Sequence, residues 1–287
     1  MEILVKAHAK INLSLDVLRK RDDGYHDLEM VMTSLALCDD VTIRIAEGTG
    51  ITANSNVPYL PCDSKNIAVR AAQRFFDTLN LPPKKVDIDM HKRIPVAAGL
   101  AGGSADAAAV LKGLNKAMDT GLSPKELAAI GEALGSDVTY CLTGGTMFAE
   151  GKGEILSPLP ALPPCFIVLS KPAFSIKTPE LFAQIDPKKI IHRPDTKELI
   201  RAISTGELTE IAHRMYNVFE DVLGSRGEAV AAIKNIMLDH GAAGALMTGT
   251  GPCVFGLFTK KEQAENAYTA LKAQHGASFL THVHSGQ

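Results

Sequence analysis

Cysteine is sparse and unpatterned: Cys38, Cys62, Cys141, Cys165 and Cys253 include no CxxC pair and leave one over in any pairing. That argues against a disulfide framework or a structural zinc site, and for buried thiols in a reducing compartment. An excess of one charge is also missing. Lys and Arg number 30 against 32 Asp and Glu, a formal −2, so no summed field draws in nucleic acid or anionic lipid, and neither partner is expected. No apolar stretch approaches the length that crosses a bilayer. Near the amino terminus Glu2, Lys6 and Lys10 stand where a secretory leader needs an unbroken apolar core, so a cytoplasmic protein is expected. Internal repeats and low-complexity tracts are absent too. What is present is 287 residues, 46% hydrophobic and 22% charged, enough for two domains or one large one. A small anionic ligand stays open, because backbone amides and one or two placed cations hold phosphate without making the whole chain basic.

From Ile3 to Val17 the odd positions are apolar and the even ones, Leu4 apart, polar, which is the pattern of a strand with one buried face. That places Lys10 and Asn12 side by side on the other face. Asp23-Gly24 marks a turn, Leu28 to Leu37 a second strand, and Val41, Ile43 and Ile45 a further alternation. No strand–helix–strand rhythm precedes residue 60, which counts against a doubly wound nucleotide fold. Helices are expected over 66–79, over 104–118, and after Ser123-Pro124-Lys125-Glu126, where a capping serine, a first-position proline and a glutamate three after the cap coincide, with Gly135 as the stop. Residues 158–164, Pro-Leu-Pro-Ala-Leu-Pro-Pro, fit neither regular structure and are read as a linker between domains 1–157 and 165–287. Beyond it a strand over 165–169, helices near 195, 207–219 and 226–239, strands 245–248 and 253–258 around a Gly249-Thr250-Gly251-Pro252 turn, a helix 261–274 and a strand 278–284 complete a second α+β unit.

Pro95, Val96, Ala97, Ala98, Gly99, Leu100, Ala101, Gly102, Gly103, Ser104 and Ala105 run directly into an alanine-rich helix. Small side chains let backbone amides approach a ligand, and the helix start adds unpaired N–H groups and the positive end of its dipole, which suits a triphosphate. The alternative is a tight connection capped by Ser104. Neither GxxxxGK[ST], nor GxGxxG in its strand–helix context, nor HRD or DFG occurs. Asp106 would repel phosphate unless it turns away or acts through Mg²⁺, and otherwise serves as a first-turn carboxylate.

The Pro-x-x-x-Gly-Leu start of this segment, with its small-residue loop and helix, resembles the hallmark of the GHMP kinase family. Ala9-Lys10-Ile11-Asn12-Leu13, Gly24-Tyr25-His26, Gly135-Ser136-Asp137-Val138, Phe148-Ala149-Glu150-Gly151 and Thr248-Gly249-Thr250-Gly251-Pro252-Cys253 extend the resemblance over nearly the whole chain, toward members that act on a cytidyl diphosphate alcohol. The resemblance implies an α+β, two-domain fold with a ribosomal-protein-S5-like first half and a ferredoxin-like second half. It also implies transfer of the ATP γ-phosphate, with Mg²⁺, to a 2-hydroxyl in non-mevalonate isoprenoid precursor synthesis.

The same resemblance makes Asp137 the catalytic carboxylate and Lys10 its partner, where the residues alone read as a helix cap and a solvated strand lysine. It assigns Tyr25 and His26 to the cytidine, Phe182 to the opposite face of the base, Thr178 to a polar contact nearby and Asn12 to the erythritol portion. Core packing for Phe182 and a surface turn for His26 are the plain alternatives. Asn66 and Lys92 fall to adenine, residues 95–105 to the phosphates, and Gly249 and Gly251 to the substrate diphosphate, although Lys92 alone reads as an exposed cation and the glycines as turn geometry. Three positions depart from the family pattern: Ala101 and Ala105 where Gly and Ser are frequent, and Thr139 where Pro is. The missing hydroxyl at Ala105 shifts any phosphate or metal contact to backbone amides and Ser104, and the metal's ligands stay unassigned. A family member acting on another small alcohol, or a non-enzymatic sensor on the same fold, remain the rivals.

Overall fold

The alternating amino-terminal run folds as β1 (Glu2–Lys20), which the computed structural model, describing residues 1–284, sets beside one continuous strand, β2 (His26–Ala46). Gly24, at φ 86°, makes the turn before β2. The separate strands expected over 28–37 and 41–45 are therefore one. The apolar face of β1 is buried as its pattern predicts, from Ala7 to Val17, but Lys10, Asn12, Ser14 and Asp16 are buried as well. The expectation of a solvated polar face is corrected because distant segments cover that face and satisfy it. Ser14 Oγ accepts the Val31 N–H at 3.2 Å, and the Asp16 carboxylate accepts the Arg193 guanidinium at 2.6 Å.

The chain packs as two units, and β1 and β2 each run through both. The first comprises Met1–Ala9, Leu37–Val96 and Ala101–Gly144, and the second Lys10–Ala36, Ala97–Leu100 and the chain from Gly145 onward. In the first unit β3 (Gly50–Ser55) pairs parallel with β4 (Lys85–His91), and β4 pairs antiparallel with β2, Val41 opposite Met90 and Ile43 opposite Ile88. Both β3 and β4 escaped the sequence reading. The parallel pair is bridged by α1 (Ile67–Leu79), whose Asn66 cap accepts the Ala68 N–H and which ends at Asn80 in a left-handed conformation. Four helices belong to this unit, α1, α2 (Gly102–Ala117), α3 (Pro124–Glu132) and α4 (Ser136–Thr143), with α1 packed on β3 and β4 and α3 and α4 packed on the other helices. Ser123 and Glu126 close a reciprocal capping box at the start of α3, as the sequence predicts. Gly113 lets α2 lie close on β2, since a Cβ there would overlap Ile43 Cδ1. The core combines Val41, Ile43, Val86 and Ile88 with Phe75, Phe76, Leu111 and Leu114.

In the second unit β5 (Thr146–Gly151) pairs antiparallel with the first half of β2 and with β6 (Ile155–Pro158). The proline-rich run then stays irregular up to β7 (Phe166–Lys171). Three short helices follow: α5 (Thr178–Gln184), α6 (Thr196–Thr205), capped by Asp195 on the Glu198 N–H, and α7 (Leu208–His213). The helix expected through 219 stops at His213. The chain instead forms β8 (Tyr216–Asn217), parallel to β1, and a 3-10 turn over Val218–Val222. After these come α8 (Gly227–Asp239), β9 (Gly244–Met247), β10 (Val254–Phe258), α9 (Lys261–Gln274) and β11 (Ala277–His282). Their sheet has the order β11-β7-β10-β9, which in chain order is 4-1-3-2, and α8 and α9 pack against it. That is the ferredoxin-like arrangement. Every residue of β10 is buried, which explains its unbroken apolar run.

Candidate active site

The segment between Pro95 and α2 is a bend in which three residues are left-handed: Ala97 at φ 51°, Gly99 at 77° and Ala101 at 56°. For the alanines that conformation costs about 1–2 kcal/mol each. At Gly99 the demand is steric too, because a Cβ would overlap the Thr248 carbonyl oxygen and approach Gly251 N to 3.0 Å. Carbonyls along the bend are consumed by protein donors: Ala98 O accepts Cys253 N–H at 3.3 Å, Gly99 O accepts Thr248 Oγ1 at 3.2 Å, and Leu100 O accepts Lys10 N–H at 3.2 Å. Spent acceptors suit an anion site, since fewer lone pairs face the ligand.

Helix α2 begins at Gly102 with Ala101 as its cap residue and no capping side chain. The reading of Ser104 as the cap is thereby corrected: Ser104 lies inside the first turn. The first amides of such a helix have no intrahelical acceptor, and with no side-chain cap they are not satisfied from within the chain by that route.

Lys10 is 4% exposed, and its ammonium donates to Asn12 Oδ1 at 2.7 Å. The Asn12 N–H donates to Thr248 Oγ1 at 3.0 Å, and that hydroxyl in turn donates to Gly99 O. One chain of bonds thus ties Lys10, Asn12, the bend and the turn after β9. Gly249, at φ 57°, would bring a Cβ within 3.0 Å of Gly99 O, and Gly251 would strike the Met247 side chain, so both glycines are demanded by contact as well as turn geometry. Asn217 completes the arrangement: its amide donates to Met247 O and Gly249 O, each at 2.8 Å, while Oδ1 accepts the Phe219 N–H. Sequence reasoning missed Asn217 by running a helix through it. The signal was there, in an asparagine followed three residues later by Glu220, the pattern of a helix start.

Tyr25 is exposed, with the Lys152 ammonium 5.3 Å above its ring. His26 is partly buried against Phe182, ring centroids 5.1 Å apart, and Phe182 meets Phe219 edge-on at 4.8 Å. Burial, then the nearby Lys20 charge, lowers the His26 pKa, which favours the neutral imidazole. Thr178 and Thr250 share a hydrogen bond of 2.9 Å between their hydroxyls. Tyr25, His26, Thr178, Phe182, Gly249, Gly251, Lys10, Asn12 and Gly99 all belong to the second unit.

Asp137 belongs to the first unit, in the first turn of α4 and half-buried, where the helix dipole favours a negative charge. Asn66 is occupied locally, donating to Pro61 O at 2.6 Å while capping α1. Lys92 is buried rather than the exposed cation its sequence context predicts, because its ammonium lies between the Asp39 and Asp106 carboxylates. Asp106 thus turns toward a lysine. Among the described residues no group of three metal-ligating side chains occurs, whereas Mg²⁺ carried on a triphosphate needs only one or two protein ligands. Ser104 Oγ, in the partly exposed first turn of α2, is a side-chain oxygen of the kind such a metal takes.

Comparison with known proteins adds to this geometry. Residues 66–145 match the GHMP kinases N terminal domain and residues 196–277 the GHMP kinases C terminal region. The chain is 43% identical over 286 residues to the 4-diphosphocytidyl-2-C-methyl-D-erythritol kinase of Alkaliphilus oremlandii, covering 99% of this chain and 98% of the relative. It is 45% identical to the enzyme of the same description from Enterococcus faecalis, with 95% of each chain covered. A crystal structure of a 4-(cytidine 5'-diphospho)-2C-methyl-D-erythritol kinase superposes with a TM-score of 0.84 at 30% identity, covering 99% of this chain and 100% of the other. Homoserine kinase from Cytophaga hutchinsonii, at 20% identity and a TM-score of 0.78 over 100% of this chain and 95% of its own, shares the fold.

Proposed function

The chain belongs to the GHMP kinases, and within them to the 4-diphosphocytidyl-2-C-methyl-D-erythritol kinases, and from that premise we propose how its own residues divide the reaction. The reaction passes the γ-phosphate of ATP to the 2-hydroxyl of the cytidyl substrate, a step of non-mevalonate isoprenoid precursor synthesis. An alcohol is a weak nucleophile, so Asp137 accepts its proton as the oxygen bonds to phosphorus and the bond from phosphorus to the β-phosphate oxygen breaks. Lys10 offsets negative charge on the transferring group. Its ammonium is held in place by Asn12, which also presents an amide to the erythritol portion.

The bend 95–105 and the start of α2 hold the triphosphate, with Asn66 and Lys92 on the nucleotide side. Mg²⁺ bound to ATP would neutralise phosphate charge, with Ser104 as the side chain able to reach it. Tyr25, His26, Phe182 and Thr178 take the cytidine, a flat base suiting an aromatic platform. Gly249 and Gly251 bring the turn after β9 to the substrate diphosphate. No described helix is long and apolar enough to cross a membrane, and a cytoplasmic site of action is proposed with the reaction.

The observation that carries this reading is the bonded chain from the Lys10 ammonium through Asn12 and Thr248 to Gly99, which fixes a buried cation relative to the bend. A coupled ADP-release assay over alcohol acceptors tests it. Turnover is expected with the cytidyl diphosphate alcohol and not with homoserine or mevalonate; comparable turnover of an acceptor without cytidine overturns the assignment of Tyr25, His26 and Phe182. Asp137→Ala should lower turnover by about two orders of magnitude or more with nucleotide binding retained. Undiminished turnover in that variant removes Asp137 from the reaction.

A further inference from the structure

Asp39, Lys92 and Asp106 bring two carboxylates and one ammonium together in the interior of the first unit, their side chains 0%, 4% and 3% exposed. Burying an ionic cluster with an uneven charge count is costly, and nothing about pairing strands or packing α2 requires it. Burial raises the Asp106 pKa, and its Oδ1 has no hydrogen-bond partner. The cluster is better explained by what it joins. Asp39 Oδ1 accepts the backbone N–H groups of Arg93 and Ile94, and Oδ2 accepts the Lys92 ammonium. The Lys92 backbone is clamped on both sides by Asn56, whose Oδ1 accepts its N–H at 2.7 Å and whose Nδ2 donates to its carbonyl at 3.1 Å. At the other end, the same ammonium reaches Asp106 and the Gly102 carbonyl, the latter at 3.4 Å, on the first turns of α2. Gly102 permits this approach, since a Cβ there would stand 3.0 Å from Ile94 Cγ2 and 3.5 Å from Lys92 Nζ.

We propose that Asp39, Lys92 and Asp106 are positioning residues that staple the entry and the exit of the bend 95–101 to one another, so that its amides are set for a triphosphate before the nucleotide arrives. Lys92 then serves the nucleotide through the bend rather than by touching the adenine. Holding donors in place in advance is the general means by which a fixed loop binds a flexible anion tightly. The proposal rests on the reading of 95–105 as the phosphate site.

The test compares ATP with inorganic tripolyphosphate, which has the phosphates and no base, as a competitive inhibitor of the wild type, of Asp106→Asn, which leaves one buried carboxylate and one ammonium, and of Lys92→Met/Asp106→Asn, which leaves the Asp39 carboxylate alone. Asp106→Asn lessens buried charge and is expected to fold; circular dichroism melting checks each variant. The staple predicts that KM for ATP and the inhibition constant of tripolyphosphate rise together by about 5–10-fold, with KM for the cytidyl alcohol unchanged within about twofold. If ATP weakens and tripolyphosphate does not, Lys92 and Asp106 act at the base and the proposal fails. Unchanged constants for both in folded variants reduce the cluster to a structural element and also overturn it. A wild type whose ATP use tripolyphosphate does not inhibit at all refutes the phosphate reading of the bend itself.

Discussion

Gly99→Ala concentrates the stereochemistry of the bend in one methyl group. At φ 77° an alanine carries the left-handed cost of about 1–2 kcal/mol. Its Cβ would also meet the carbonyl oxygen of Thr248 inside van der Waals contact, with Gly251 N at 3.0 Å and Thr248 C at 3.1 Å, all backbone atoms that cannot rotate away. Overpacking of this kind costs about 1–3 kcal/mol, for a total of about 2–5 kcal/mol. For a chain of this size, at about 2 °C per kcal/mol, the unfolding midpoint should fall by about 4–10 °C. Function should suffer beyond stability. Relief of the clash moves the bend away from Thr248, breaking the bond of its hydroxyl to Gly99 O and loosening the Asn12 N–H bond that shares the same oxygen. The assay pairs thermal unfolding with kcat/KM for ATP, and Ala101→Gly is the control, since it relieves a left-handed alanine and should be neutral or stabilising by up to about 1 kcal/mol. A Gly99→Ala protein within about 0.5 kcal/mol of wild type and with full activity refutes the reasoning.

Two further outcomes follow from buried polar groups. Asn217→Ala leaves the Met247 and Gly249 carbonyls without their donor and should cost about 2–4 kcal/mol with a fall in kcat/KM; Asn217→Asp, similar in volume but accepting only, should not rescue it in urea unfolding or turnover. Burial raises the Asp106 carboxyl to about 7. Between the ordinary carboxyl range and that value the folded state holds a proton the unfolded chain has lost, so stability falls as pH rises through the window, by up to about 1.4 kcal/mol per pH unit. Wild type should therefore lose ground to Asp106→Asn in unfolding midpoint between pH 5 and 7, and parallel pH profiles of the two proteins contradict the shift.

Local chemistry made much of the chain legible. The Ser123–Glu126 box, the Asp195 cap and the Asp23-Gly24 turn each work within a few residues, so their signals sit together in sequence and their helices and turn formed where expected. Helix 261–274 and the apolar run of β10 were equally plain. The loop and the separated motifs sufficed for the family and its reaction. What escaped had partners far away. The exception is β4, which alternates strictly, with Val86, Ile88 and Met90 buried between polar neighbours, a local signal that was passed over; β3, at six residues, is fixed by its parallel pairing with β4. Alternation in β1 correctly separated two faces, yet it could not say that the polar one would be covered, because Arg193 and Thr248, the residues that meet Asp16 and Asn12, lie 177 and 236 positions away. The burial of Lys92 required Asp39, 53 positions upstream, to arrive from another strand. Sequence by itself determined the capped helices, the turn, the strongly patterned strands and the kind of chemistry, since those depend on neighbours along the chain. Only the tertiary structure decided which charges are buried, what holds them and why Gly99 admits no side chain, since desolvation and steric contact depend on neighbours in space.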